Sequence, residues 1–180
     1  MKTYPPAAAL AALLLISPAA VAEDQSQEQP AAGQPKPCAT PEYRQFDFWL
    51  GDWEVRDPKG EVVGHNTIEK ILGGCVLEES WEGVSGSVGH SFNGYRKRMG
   101  TWHQTWVDNQ GLVLVLDGGL TDGSMVLEGD ILGRDGSTVH NRITWTPNGD
   151  GSVRQHWQMR KEGEEDWRTV FDGTYTHDGS

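Results

Sequence analysis

Phe46-Asp47-Phe48-Trp49-Leu50-Gly51-Asp52-Trp53-Glu54-Val55 sets a Gly-x-Trp at the head of an alternating segment. Glycine admits a tight turn into the strand, and the indole two residues on falls on the same side of it. That pattern suits the first strand of a small antiparallel barrel with a large ring plugging one end. Just upstream, Thr40-Pro41-Glu42 has the makings of a short helix: a capping hydroxyl, a proline suited to the first turn and an acid at the positive end of the dipole. It is expected to lid the barrel.

Downstream of this opening the chain reads as strand and turn. Alternating runs at 53–56, 62–72, 76–83, 88–96, 101–109, 112–119, 124–132, 138–146, 153–160 and 167–177 are separated by turn chemistry such as Asn109-Gln110-Gly111, Asp122-Gly123 and Asn148-Gly149-Asp150-Gly151. Regular short spacing without a competing helical period predicts an all-β, antiparallel up-and-down barrel of about ten strands with a short N-terminal helix. Closure follows because open edges invite aggregation, and a barrel of that size has room inside for a ligand or for bulky side chains.

Upstream, Lys2, the apolar run 7–16 and Ala20-Val21-Ala22 read as a secretory leader over residues 1–22, cleaved before Glu23. The run is too short to span a bilayer, which needs roughly 20 apolar residues. The polar, proline-punctuated stretch 23–37 reads as a disordered linker, leaving 38–180 for the barrel domain. A formal net charge of −11 argues against nucleic acid and anionic lipid as partners. No membrane insertion is expected after cleavage, and the destination is the periplasm or beyond. In such an oxidising compartment the two cysteines, Cys38 and Cys75, are expected to pair. The alternative, a redox or metal site, lacks any Cys-x-x-Cys.

Each strand offers two faces. Leu77, Glu79 and Trp81 are assigned inside, because Val76, Glu78, Ser80 and Glu82 make the better water face. Trp102, Gln104 and Trp106 share an inner face, as do Val153, Gln155, Trp157 and Met159, while Ile143 and Trp145 oppose Arg142. On the last strand Trp167, Phe171 and Tyr175 share a side. Between His90/Phe92/Gly94 and Ser91/Asn93/Tyr95 the pattern leaves the choice open. The inner lists mix an aromatic with a polar group where a packing core would use Val, Ile and Leu. A buried carboxylate or amide without a partner is costly, so these groups bond one another, water or a ligand. On the ligand reading, Glu79, Asn93, Gln104 and Gln155 orient a small molecule against a wall of Trp81, Tyr95, Trp106, Trp145 and Trp157. The competing reading is a structural polar network. Glu79 is also the one acid whose burial would raise its pKa into a range useful for general acid or base work. The six histidines show no ligand spacing, and no nucleophile elbow or phosphate loop occurs, so no metal, cofactor or catalytic residue is assigned.

Four strings carry a resemblance: Phe48-Trp49-Leu50-Gly51-Asp52-Trp53, Gly74-Cys75-Val76-Leu77-Glu78-Glu79-Ser80-Trp81, Ser91-Phe92-Asn93-Gly94-Tyr95 and Trp102-His103-Gln104-Thr105-Trp106-Val107-Asp108. They resemble bacterial lipocalin-like proteins of a domain family without an assigned function. The likeness continues through Arg142–Pro147 and 153–157 and implies a calycin-type barrel, but no catalytic residues. More distantly, Gly51-Asp52-Trp53 is similar to the Gly-x-Trp of lipocalins, in which the indole packs on a late arginine; Arg142, Arg154 and Arg168 are the candidates here. Ten-stranded haem-binding barrels are similar in outline, but the surroundings of His177 resemble a solvated end. Three readings follow: a secreted barrel binding a small, partly apolar molecule; a cavity enzyme of isomerase or hydratase type using Glu79; or a barrel filled by its own side chains and acting as an interaction module.

Overall fold

Alternation of inner and outer side chains runs through ten strands of the computed structural model, which describes residues 36–177. They are β1 (Gly51–Arg56), β2 (Val62–Ile71), β3 (Val76–Gly83), β4 (Val88–Arg96), β5 (Thr101–Asp108), β6 (Val113–Thr121), β7 (Ser124–Leu132), β8 (Thr138–Pro147), β9 (Val153–Lys161) and β10 (Arg168–His177). Each pairs antiparallel with the next, and β1 pairs with β10, so the sheet closes and no edge is left unpaired. The fold is the expected up-and-down barrel, with each strand boundary within about two residues of the turn-based reading. The leader and nearly all of the linker lie outside the described residues.

The expected helix is two short 3₁₀ turns, Pro41–Arg44 and Asp47–Trp49. The hydroxyl of Thr40 makes no cap; its carbonyl closes the turn instead by accepting from the Tyr43 amide at 3.1 Å. Gly51 then enters β1 at φ +134°, where a Cβ would lie 2.9 Å from the His177 ring. Both the angle and the space therefore demand glycine. The Asp122-Gly123 reversal holds both residues at positive φ (49° and 82°), the twist-matched hairpin turn that Asp-Gly favours. In β6 and β7 neighbouring backbone passes close to Gly118 and Gly129. A Cβ there would sit 2.1 and 2.0 Å from the carbonyl oxygens of Val126 and Val115.

Cys38 and Cys75 are joined (S–S 1.99 Å), tying the segment ahead of the 3₁₀ turns to the β2–β3 connection. Arg44 reinforces this joint, donating to the carbonyl oxygens of Cys38 (3.2 Å) and Gly74. Asp47 takes Lys70 at 2.6 Å from β2. The bridge closes a loop of 37 residues, which the chain-entropy argument values at about 3–4 kcal/mol. A Cys38→Ser/Cys75→Ser variant should lose about that much stability, read as a lower midpoint in urea denaturation with a somewhat steeper slope, because the unbridged unfolded chain exposes more surface.

Candidate functional site

Because strand direction alternates, each inner side chain has a depth as well as a face. The starts of odd strands and the ends of even ones gather at the end that carries the 3₁₀ turns. There the inner positions hold Trp53, Trp102, Trp145 and Tyr175, and the turns add Phe46 and Trp49, all buried. Phe46 stacks on Trp49 (centroids 4.9 Å apart) and meets Trp145 and Trp102 edge-on at 5.2 and 5.7 Å. The Trp53 indole donates to the Trp49 carbonyl at 3.0 Å, and the Trp102 indole donates to Gln45 Oε1 at 3.1 Å. This aromatic plug seals one end. On its rim Trp53 stacks against His177 (3.9 Å, 22°). None of the three candidate arginines takes that place: Arg142 lies over Trp167, Arg154 pairs with Asp172, and Arg168 pairs with Glu164.

The opposite half is hollow. A cavity of about 370 Å³ is walled by Trp81, Trp106, Trp157 and Phe171, with Val63, Leu114, Ile143 and Val170, and is rimmed by Ser85, Ser87, Asp108 and Gln110. Glycine at inner positions gives the rings their seats. A Cβ on Gly64 would lie 2.5 Å from the Trp81 ring, and one on Gly89 would lie 2.2 Å from Trp106. The Trp81 indole donates to Ser87 Oγ at 3.1 Å, and the Trp157 indole to Asn141 Oδ1 at 3.0 Å, so both rings are held flat to the wall.

Where cavity meets plug, a polar floor crosses the barrel. Gln104, a cavity-lining residue, donates its amide to Asn93 Oδ1 at 2.8 Å. Asn93 donates to Ser91 Oγ at 2.8 Å, and Ser91 donates to Glu79 Oε2 at 2.6 Å. From the other side Asn66 donates to Glu79 Oε1 at 2.8 Å. Every donor in this relay points toward the Glu79 carboxyl. Beside it, the Tyr175 hydroxyl donates to Gln155 Oε1. Glu79 is 4% exposed, and burial pushes its pKa from 4.5 up to about 7, with the Ser91 and Asn66 hydrogen bonds pulling the other way. Burial, and then the nearby Glu79 charge, raises Tyr175 well above the ordinary phenol range. Among the described residues, no Lys, Arg or His lines the cavity.

Six of the nine nominated residues line the hollow: Glu79, Trp81, Gln104, Trp106, Gln155 and Trp157. Three do not. Asn93 lies beneath it within the relay. Tyr95 packs on Tyr43 (5.3 Å) and Trp102 (6.1 Å), and Trp145 belongs to the plug. The undecided strand β4 turns Ser91 and Asn93 inward and leaves Phe92 51% exposed. Trp167 departs from the face expected for it. A bulge between Thr169 and Phe171 resets the alternation, and the ring lies under the guanidinium groups of Arg142 and Arg160, at 4.2 and 5.0 Å. The residues not singled out beforehand are Asn66, Ser91 and Phe171 on the floor and wall, and Tyr175 as a hydrogen-bonding rather than packing group.

No protein-family model matches this chain, and a search of curated proteins finds no match.

The Glu79 geometry makes stability depend on pH. Its folded pKa lies above the unfolded value, so the unfolded chain releases the proton first. The contribution is complete below about pH 4.5 and is lost as pH rises to about 7, in all about 3 kcal/mol for a shift of this size. Glu79→Gln removes the titration. The stability difference between variant and wild type, from urea denaturation at successive pH values, should move in favour of the variant by about that amount between pH 4.5 and 7.5, and then level off.

Proposed function

We propose that this protein is an exported barrel that binds a small, partly apolar molecule in the hollow between the polar floor and the open rim. The observation that carries the reading is a cavity of about 370 Å³ with a wall of three indoles and a phenyl ring and a floor of Glu79, Gln104 and Gln155. An apolar enclosure with a few convergent polar groups is the usual form of a small-molecule site. A barrel filled by its own side chains would leave no room for more than a few waters, so the volume counts against that reading. The Cys38–Cys75 disulfide favours an oxidising compartment, in keeping with the leader-like N-terminus. The motif resemblance to bacterial lipocalin-like proteins supports the same picture.

One observation favours a second reading. Glu79 faces the cavity with a pKa near 7 and lies beside Asn66 and Tyr175, an arrangement suited to moving a proton on a bound substrate. On that reading Glu79→Gln abolishes turnover and leaves binding in place.

Tryptophan fluorescence tests the binding reading. Titration with a panel of lipids, aromatics and porphyrins should give saturable quenching by at least one class. Trp157→Phe, on the cavity wall, should lose much of that quenching, and Trp167→Phe, under its two arginines, should keep it. Absence of both quenching and thermal shift across the panel overturns the reading.

A further inference from the structure

The charge inside the barrel has one sign. Among the described residues Glu79 is the one carboxylic acid on the floor, Asp108 stands at the rim, and the remaining lining side chains are neutral. Around Glu79 the neighbouring strands present Asn66 from β2, Ser91 and Asn93 from β4, Gln104 from β5, Gln155 from β9 and Tyr175 from β10. Tyr175 is the one other titratable group among them, and it is neutral across the physiological range. Basic side chains pair elsewhere: Arg96 with Asp117, Arg154 with Asp172, Lys161 with Asp135. Among the described residues, the carboxyl group of the floor thus has no countercharge.

The hydrogen bonds around it are arranged for an anion. Ser91 and Asn66 each donate to one oxygen, and the relay from Gln104 through Asn93 and Ser91 runs toward the carboxylate. A carboxylate with a donor on each oxygen still has lone pairs left to accept more. Above it stand Trp81, Trp106, Trp157 and Phe171, the side chains whose ring faces attract a cation. An uncompensated acid under an aromatic wall is a site for positive charge on an apolar body.

We propose that the cavity takes an organic cation, a protonated amine with an aromatic or aliphatic body, with the Glu79 carboxylate as its counter-ion. The proposal rests on reading the barrel as a small-molecule binder and names the class of molecule. The ammonium replaces the missing countercharge at the floor, with Asp108 drawing cations to the rim. The body fills the space between the indoles. An anionic ligand would meet two acids and no base, and a neutral one would leave Glu79 as it is in the empty barrel.

The test compares 4-phenylbutylamine with 4-phenylbutanol, which differ at one terminal group, by isothermal titration calorimetry from pH 5.5 to 8. The amine stays protonated throughout. With Glu79 titrating near 7, the amine should bind about 30-fold more weakly at pH 5.5 than at pH 8, and at pH 6 it should release about one proton per molecule bound, seen as a dependence of the heat on the buffer. The alcohol should bind more weakly than the amine at pH 8 and show no such dependence. Glu79→Gln, checked for a cooperative melt, should bind the amine at least ten-fold more weakly at pH 8 and abolish the pH dependence of its affinity. The wild-type pH profile and proton count stand even if that variant fails to fold. If the alcohol matches or exceeds the amine, or the amine's affinity ignores pH, the cation assignment is overturned while the barrel remains a binder. If neither probe binds at any pH, the cation assignment falls, and the binding reading is decided separately by the fluorescence panel.

Discussion

Sealing one end of the barrel with aromatic rings is what leaves the other end hollow. A ten-stranded barrel encloses more space than inward side chains of ordinary size can fill. Here the filling is uneven. Phe46, Trp49, Trp53, Trp102, Trp145 and Tyr175 crowd the half near the 3₁₀ turns, and Gly64, Ser91 and Gly89 occupy inner positions toward the other half. The eight tryptophans divide accordingly: four in the plug, three flat on the cavity wall and one outside. The plug contributes the hydrophobic burial that a hollow barrel would otherwise lack.

The polar floor follows from this division. A carboxyl group at the boundary between plug and cavity loses its water on one side and keeps a small opening on the other. Donors from two strands, Asn66 on β2 and Ser91 on β4, compensate part of that loss, and burial outweighs them, which is why the Glu79 pKa rises despite two short hydrogen bonds. Among the described residues the indole N–H groups of Trp49 and Trp145, in the plug, and the Asn66 carbonyl oxygen, at the floor, have no hydrogen-bond partner.

Alternation and turn chemistry were enough to read the strands, their order and the paired motifs Glu79/Trp81, Gln104/Trp106 and Gln155/Trp157, since a period of two reports the face directly. Depth along the barrel axis is not in that signal. Trp145 and Tyr95 have inward parity, as Trp157 has, yet they lie near the sealed end; counting from strand ends in alternating directions would have sorted them. On β4 both faces carried a polar and an aromatic residue. What decided the matter was nonlocal: Ser91 and Asn93 are needed to reach Glu79 and Gln104, so Phe92 turns outward. The face of Trp167 is not legible in a strict period of two, which a single-residue bulge breaks, and the role of Asn66 is not local, because its partner lies on another strand.

The joint at Cys38–Cys75, with Arg44 bridging the same two chain segments, rivets the sealing turns to the barrel wall. The hollow is bordered at its far end by hairpin tips, among them the β3–β4 and β5–β6 loops where Ser85 and Gln110 stand. Changes in those loops would reshape the rim and leave the floor and the riveted end as they are.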